Sequence, residues 1–596
     1  MNPFVQPITP IGGDLLLSAL VAAIPLLVLF VMLGVFKVPA WIASLTTVVL
    51  TAIIAIVGWQ MPAITALSAT AEGIFFGALQ IMWILIAAVW MYQLTVKLGW
   101  DKVLRDLLRG ISDDLRVLSI LIAFCFGALL EALAGFGTPV AITAAMLVAA
   151  GMKPLKSAMV CMVANTAPVA FGAMGAPITA LGTAAASTFG DGNYTATALA
   201  ETFGAMAGRQ SPFMACIVPL FLVFLVDGFR GLKDTWHIAL SAGVVFAIFQ
   251  FMASNWLNSY QITDVIASVA CILAILGVLQ IAKPNNPVLA VTDDSGEEQT
   301  AAMQTTGFAR VWGAIAPYTV VVVLFSLSQI PALKTWLSTT LTVNFPWPGL
   351  QAGLFPKDAD GKVIPQAADF CGIVTQAGFD ANAVTSCNIG QVGLYSVIST
   401  GTILFIGGII TALIYRMNVG QAAGVFGATL VNLRFTIVTI ASVLAVAYLM
   451  NGSGMTVSIG KALAGVGLAF AFVSPVLGWL GVAITGSDTS SNALFGGMQV
   501  AAAKAVWGAS GLGLESTVPY EVIMATSNST GGCMGKMVSP QSLSVACAAA
   551  GMVNQEGILF RKIVGWSLVL LIIFAILVTV QALVVPGIIP LPALPA

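Results

Sequence analysis

Residues 481–498 read GVAITGSDTSSNALFGGM: one carboxylate, Asp488, set among glycine and small hydroxyl residues between two apolar arms. Residues 126–147, FGALLEALAGFGTPVAITAAML, repeat the design around Glu131. Each is followed by an Asn-centred stretch rich in small residues, VANTAPVAFGAMGAP at 163–177 and ATSNSTGGCMGKMVSP at 525–540. The two units lie in opposite halves of the chain. Such interruptions are informative only in an apolar setting, because unwound backbone in hydrocarbon leaves amides and carbonyls unpaired at several kcal/mol each.

The setting is apolar. Of the 596 residues, 59% are hydrophobic and 8% charged, where a soluble domain carries about 25% charged residues; a water-facing surface cannot be built from that supply. Uncharged runs at 15–36, 38–71, 73–96, 238–263 and 563–596 each reach the roughly 20 apolar residues of a spanning helix. The expected fold is an all-α polytopic membrane protein of 12 to 16 hydrophobic crossings. The count depends on whether the arms around Glu131 and Asp488 are re-entrant hairpins or full spans. A net charge of -1 and no basic tract argue against nucleic acid as a partner. No Lys or Arg precedes Lys37, so the first helix is expected to be retained and not cleaved as a signal peptide.

With the N-terminus placed outside, most of the 23 Lys and Arg fall on the cytoplasmic side, including Lys97, Lys102, Arg105, Arg109 and Arg116, Lys153/Lys156, Arg230/Lys233 and Arg561/Lys562. Both termini are then extracytoplasmic. An N-terminal half at 1–282, with its interrupted unit at 117–182, precedes a polar cytoplasmic linker at 283–306. A helix and its flank follow at 307–345, then an extracytoplasmic loop at 346–393, then a C-terminal half at 394–596 with its unit at 457–550. On this path the first unit starts inside and the second outside, an inverted-topology repeat. The outer loop holds Cys371 and Cys387 in polar sequence, and the oxidising side favours a disulfide between them over two free thiols. The six other cysteines sit in apolar surroundings, as small buried hydrophobes do. The tracts 193–208 and 419–433 read either as interfacial or half-length helices or as ordinary spans or loops.

Broken helices at corresponding points of two halves point to a transporter's central site, where half-helix N-termini offer N–H groups to an anion. STGGCMGKMVSP at 529–540 departs from a nucleotide-binding loop: Gly531 is one residue too close to Gly535, and Met537 replaces the hydroxyl. It is expected to be a broken-helix anion cradle.

The stretches EALAGFGTPVAI, NTAPVAFGAMG, GRQSPF, TGSDTSSNALF and TGGCMGKMVSPQS, in that order, resemble the signatures of the bacterial L-lactate permease family, and the similarity runs through nearly the whole chain. The resemblance implies proton-coupled uptake of 2-hydroxymonocarboxylates (L-lactate, D-lactate, glycolate) across the cytoplasmic membrane. The paired Asn stretches also resemble a wider group of inverted-repeat ion transporters, so sodium coupling is a second reading. A passive organic-acid channel is a third.

An ionised carboxylate at membrane depth costs about 2.5 to 3.5 kcal/mol on insertion scales and is a functional hypothesis by default. Glu131 and Asp488 are therefore the proton-coupling candidates, with a helix-capping role the rival for Asp488. The sole histidine, His237, reads as an interfacial residue. A lactate site needs a few hydrogen-bond donors, one cation and a small apolar wall. Asn165, Thr166, Ser487, Thr489, Ser490, Asn528, Ser529 and Thr530 supply hydrogen bonds. Gly135, Gly137, Gly531 and Gly532 permit close backbone approach. Lys536 is the cation or else snorkels to an interface; Arg209 is a second cation candidate. No HExxH, nucleophilic triad or external Cys/His cluster is present in the sequence, so neither a metal cofactor nor an enzyme is expected.

Overall fold

The helix Ala40–Val57 (α2) is built inside out. It buries Ala43, Ser44, Thr47, Thr51 and Ala55, while Leu45, Val49, Ile53 and Val57 face outward. The inward threonines return their hydroxyls to the helix, Thr47 donating to Ala43 O at 2.8 Å and Thr51 to Thr47 O at 2.6 Å. Small and self-satisfied polar residues inside with branched aliphatics outside is the pattern of a helix solvated by lipid. The protein is a multi-pass, helical membrane protein.

The computed structural model describes residues 7–593 other than 37, 79–81, 101–102, 104–110, 135–136, 187, 190–193, 285, 290–307, 329, 331–342, 347–390, 395–399, 511–515 and 553–554. In chain order α1 is Leu15–Phe30, α3 Ala63–Phe76 and α4 Met82–Lys97. α5 covers 115–134, with π-helical geometry at Ser119–Phe126. Then come α6 Thr138–Ala149, α7 Pro154–Ala164, α8 Gly172–Ala185, α9 Ala196–Phe251, α10 Thr263–Ile281 and α11 Phe308–Ser328. The second half holds α12 Thr400–Ile414, α13 Val419–Ser453, α14 Met455–Leu463, α15 Phe470–Thr485, α16 Asp488–Gly508, α17 Val518–Lys536, α18 Pro540–Ala549 and α19 Glu556–Leu583.

Among the described residues, seven helices are long and apolar enough to cross a membrane, or up to eight if the bent pair α7–α8 counts as one span; shorter apolar helices accompany them. The 56 residues of α9 would extend about 84 Å at 1.5 Å per residue, far beyond a hydrocarbon core of roughly 30 Å. Gly228, at φ 65° and ψ -149°, breaks the helix. The buried Arg116 ties the start of α5 to this elbow. Its guanidinium donates to Asp114 at 2.7 Å, to Asp227 at 3.1 Å and to Asn286 O at 3.0 Å. Of the two ambiguous tracts, residues 199–208 are mostly buried within α9, and 419–433 form the largely exposed half of α13.

A two-stranded antiparallel ribbon, β1 Val343–Pro346 with β2 Gln391–Leu394, adds a small sheet that the all-helical expectation did not include. It brackets the segment bearing Cys371 and Cys387, which, with 290–306 of the linker and Gly135, lies outside the described residues.

Three of the four expected interruptions are present. α5 ends at Ala134, and Gly137 takes φ 86° ahead of α6. α15 ends on Gly486 at φ 74°, and Ser487 caps α16. α7 ends at Asn165, a turn and a short 3-10 segment Val169–Phe171 follow, and Ala173, Met174 and Gly175 lie in the left-handed region before α8 resumes. The pair α7–α8 is bent by 63°. Two consecutive non-glycine residues there cost about 1–2 kcal/mol each, strain of the kind that persists at functional sites.

The fourth is absent, which corrects the anion-cradle reading of 529–536. Ser527 to Gly535 are interior residues of continuous α17. The glycines serve packing: a Cβ on Gly531 would lie 2.7 Å from Pro475 Cα, and one on Gly535 2.9 Å from Ala483 N. They let α17 lie directly on α15, as small residues do between membrane helices.

Candidate functional site

Glu131, near the end of the buried helix α5, is 3% exposed, and its Oε2 accepts from Asn165 Nδ2 at 2.9 Å. The end of α7 thereby holds the carboxylate of α5. The start of α8 closes on it as well: a Cβ on Gly172 would lie 2.9 Å from Glu131 Oε1. Asn165 Oδ1 is buried with no hydrogen-bond partner among the described residues.

Asp488, also 3% exposed, is the first residue of α16. It is not the cap. Ser487 fills that role, its side chain accepting from Ser490 N at 3.3 Å, which leaves the Asp488 carboxylate for tertiary partners. Its Oδ2 accepts from Ser529 Oγ at 2.5 Å and from Asn492 Nδ2 at 3.5 Å, while Oδ1 is buried without a hydrogen bond among the described residues. Gly532 makes room for that oxygen, since a Cβ there would lie 2.7 Å from it.

Lys536 is 5% exposed and so does not snorkel; Nζ donates to Gly486 O at 2.9 Å, at the α15–α16 break. It interacts electrostatically with both Glu131 and Asp488, which also act on each other. Carboxylates 357 positions apart in sequence are thus brought to one lysine. Arg209 is placed otherwise: its guanidinium donates to Asn255 Oδ1 at 2.8 Å and to Ile588 O, and its own carbonyl accepts from Gln581.

The remaining predicted residues divide into two groups. Thr166 caps inward, donating to Val163 O at 2.7 Å, and Thr489 and Ser490 are buried in the first turn of α16. Asn528 is a packing residue: it donates to Asn492 Oδ1 at 2.9 Å and accepts from Gln499 Nε2 at 3.3 Å, while Asn492 donates onward to Pro177 O at 3.0 Å. That network fastens the second half to α8 of the first. Thr530 reaches the first half too, donating to Gln210 Oε1 at 2.7 Å.

Sequence reasoning passed over Asp264, Gln250 and Gln210. Asp264 is fully buried in the first turn of α10 and accepts from Gln250 Nε2 at 3.4 Å; it interacts electrostatically with Glu131. Its signal was available, a single carboxylate heading the otherwise uncharged TDVIASVACILAILGVLQI. The Cys533 thiol, which donates to Ser529 O at 3.4 Å, interacts electrostatically with Asp488, Asp264 and Glu131. Among the described residues, no three His, Cys, Asp or Glu converge to hold a metal ion.

A buried cluster of acids around one lysine at the junction of interrupted helices fits a carrier of small anions. Residues 18–585 match the family profile described as L-lactate permease. The chain belongs to the L-lactate permease family. It is 37% identical to Glycolate permease GlcA of Escherichia coli (strain K12), over 98% of this chain and 99% of that protein. It is 36% identical to the L-lactate permease of Bacillus subtilis (strain 168), over 98% of this chain and 100% of that protein. The L-lactate permease of Escherichia coli (strain K12) is likewise 36% identical, over 99% and 100%. Membership of this permease family makes the chain a transport protein, and the coupled acids are the features of it that call for an explanation.

Proposed function

We propose that this permease carries L-lactate and related 2-hydroxymonocarboxylates, D-lactate and glycolate, into the cell together with a proton, across the bacterial cytoplasmic membrane. The family and the names of its relatives support the substrates. The observation that carries proton coupling is the imbalance of buried charge: Glu131 and Asp488 share a single buried cation, Lys536. Adding a lactate anion to that site raises the uncompensated charge in a medium where each unpaired ion costs several kcal/mol. A proton taken by Glu131 or Asp488 cancels the charge of the incoming anion, so the loaded site can change its access without moving net charge.

Lys536 and buried hydroxyls such as Thr489 and Ser490 supply donors for the carboxylate, and Asn165 Oδ1, which has no donor among the described residues, suits the substrate hydroxyl. The reading extends to 12 to 16 crossings, inverted halves, extracytoplasmic termini and a Cys371–Cys387 disulfide. The test is uptake of labelled L-lactate into proteoliposomes under an imposed inward proton gradient, without sodium. Accumulation is expected, and Glu131→Gln or Asp488→Asn is expected to abolish it while counterflow exchange survives. Accumulation that follows sodium and ignores protons would replace symport with protons by symport with sodium. Flux without accumulation would indicate a channel.

A further inference from the structure

Among the described residues, Asp264 has no partners that satisfy either protonation state. Ionised, it is a fully buried charge whose Oδ1 has one long hydrogen bond, from Gln250 Nε2 at 3.4 Å, and whose Oδ2 has none. Neutral, it carries a hydroxyl with no acceptor at Oδ2. The Gln250 amide cannot be turned round to improve this, because the same Nε2 donates to Ala167 O at 3.3 Å and Gln250 Oε1 accepts from Ser211 Oγ at 3.1 Å. Ala167 belongs to the strained turn that begins at Asn165, the residue holding Glu131.

The groups that act on Asp264 come from two neighbouring elements, Glu131 from α5 and the Cys533 thiol from α17; the carboxamide from α9 and the carbonyl of the α7–α8 turn carry no charge. Lys536 acts on Glu131 and Asp488, and no basic group acts on Asp264 among the described residues. Two buried like charges in one neighbourhood titrate as a pair, not as separate groups.

We propose that Asp264 and Glu131 bind the transported proton jointly, as a coupled pair in which one resident proton is retained and a second enters with the anion. The proposal rests on the symport reading above. The charges balance. Empty, the pair holds one proton and carries -1, while Asp488 is compensated by Lys536. Loaded, the pair holds two protons and carries zero, and the lactate carries -1. Both states have the same net charge, which is what a one-proton, one-lactate cycle requires.

The experiment is counterflow of labelled L-lactate in proteoliposomes with equal pH on both sides, measured across a broad pH range, beside proton-driven accumulation. In Asp264→Asn exchange is expected to persist but to titrate in a single step, because the alkaline step at which the wild-type pair loses its resident proton needs two acids. Asp264→Glu is expected to restore the two steps. Gln250→Leu keeps both acids and removes a hydrogen bond from the ionised Asp264, so its alkaline step is expected to move further toward alkali. A wild-type profile of one step, or two steps retained in Asp264→Asn, overturns the pair; should that variant not assemble, an unmoved alkaline step in Gln250→Leu does so. Wild-type accumulation that ignores the proton gradient would instead overturn symport itself.

Discussion

Ser529 donates its hydroxyl proton to Asp488 Oδ2 at 2.5 Å, across 41 positions of sequence and between two different helices, α17 and α16. Among the described residues, the only other hydrogen bond to this carboxylate is the 3.5 Å contact from Asn492. Hydrogen bonds to charged groups contribute about 1.5–3 kcal/mol. Ser529→Ala is therefore expected to lower L-lactate exchange by roughly tenfold or more, with unchanged protein in the membrane. Exchange rates normalised to reconstituted protein check this.

Lys536 interacts with two buried carboxylates and spans the α15–α16 break through Gly486 O. Removing one partner of a buried ionic set typically costs about 3–5 kcal/mol, because the other charges are left uncompensated. Lys536→Met is expected to lower the thermal midpoint in detergent and to abolish transport. Combining it with Asp488→Asn is expected to recover part of the stability and none of the transport. A single mutant as stable as wild type would show that Lys536 does not compensate the acids.

Gly532 and Gly424 offer a matched comparison. A Cβ on Gly532 would meet Val482 Cγ2 at 2.6 Å and Asp488 Oδ1 at 2.7 Å, whereas one on Gly424 meets nothing within 4 Å. Overpacking costs about 1–3 kcal/mol, while an alanine replacing glycine in an open helix gains up to about 1 kcal/mol. Gly532→Ala is expected to reduce both exchange and thermal stability, and Gly424→Ala to leave exchange intact with stability unchanged or raised.

Arg116 is fully buried at the start of α5, paired with Asp114 at 2.7 Å and Asp227 at 3.1 Å and near Asp234 at 3.5 Å. It clamps the start of α5 to the Gly228 elbow of α9. Arg116→Ala is expected to destabilise the protein by about 3–5 kcal/mol, read as a lowered detergent Tm, and Arg116→Lys to restore only part of it, since lysine cannot bridge several acids with a planar fork.

The sequence by itself determined the membrane class, through its apolar runs, and the candidate acids, because Glu131 and Asp488 are lone carboxylates in apolar arms. It also located three helix interruptions, since Gly137, Gly486 and the Asn165–Gly175 turn carry their own local conformational signals. What it could not decide was the use of a glycine run. Gly531, Gly532 and Gly535 in a sequence are equally consistent with unwinding and with close packing, and only the position of α15 against them selects packing. The same holds for the side chains. Asp488 looked like a cap until Ser487 was seen to fill that role, and Lys536 could snorkel or be buried. In the sequence Lys536 is the first cation candidate and Arg209 the second; tertiary structure gives Lys536 to the acids and Arg209 to Asn255 and Ile588. Asp264 joined Glu131 for the same reason: helices far apart in the chain meet, and the electrostatics of a buried group depend on neighbours that local sequence does not specify.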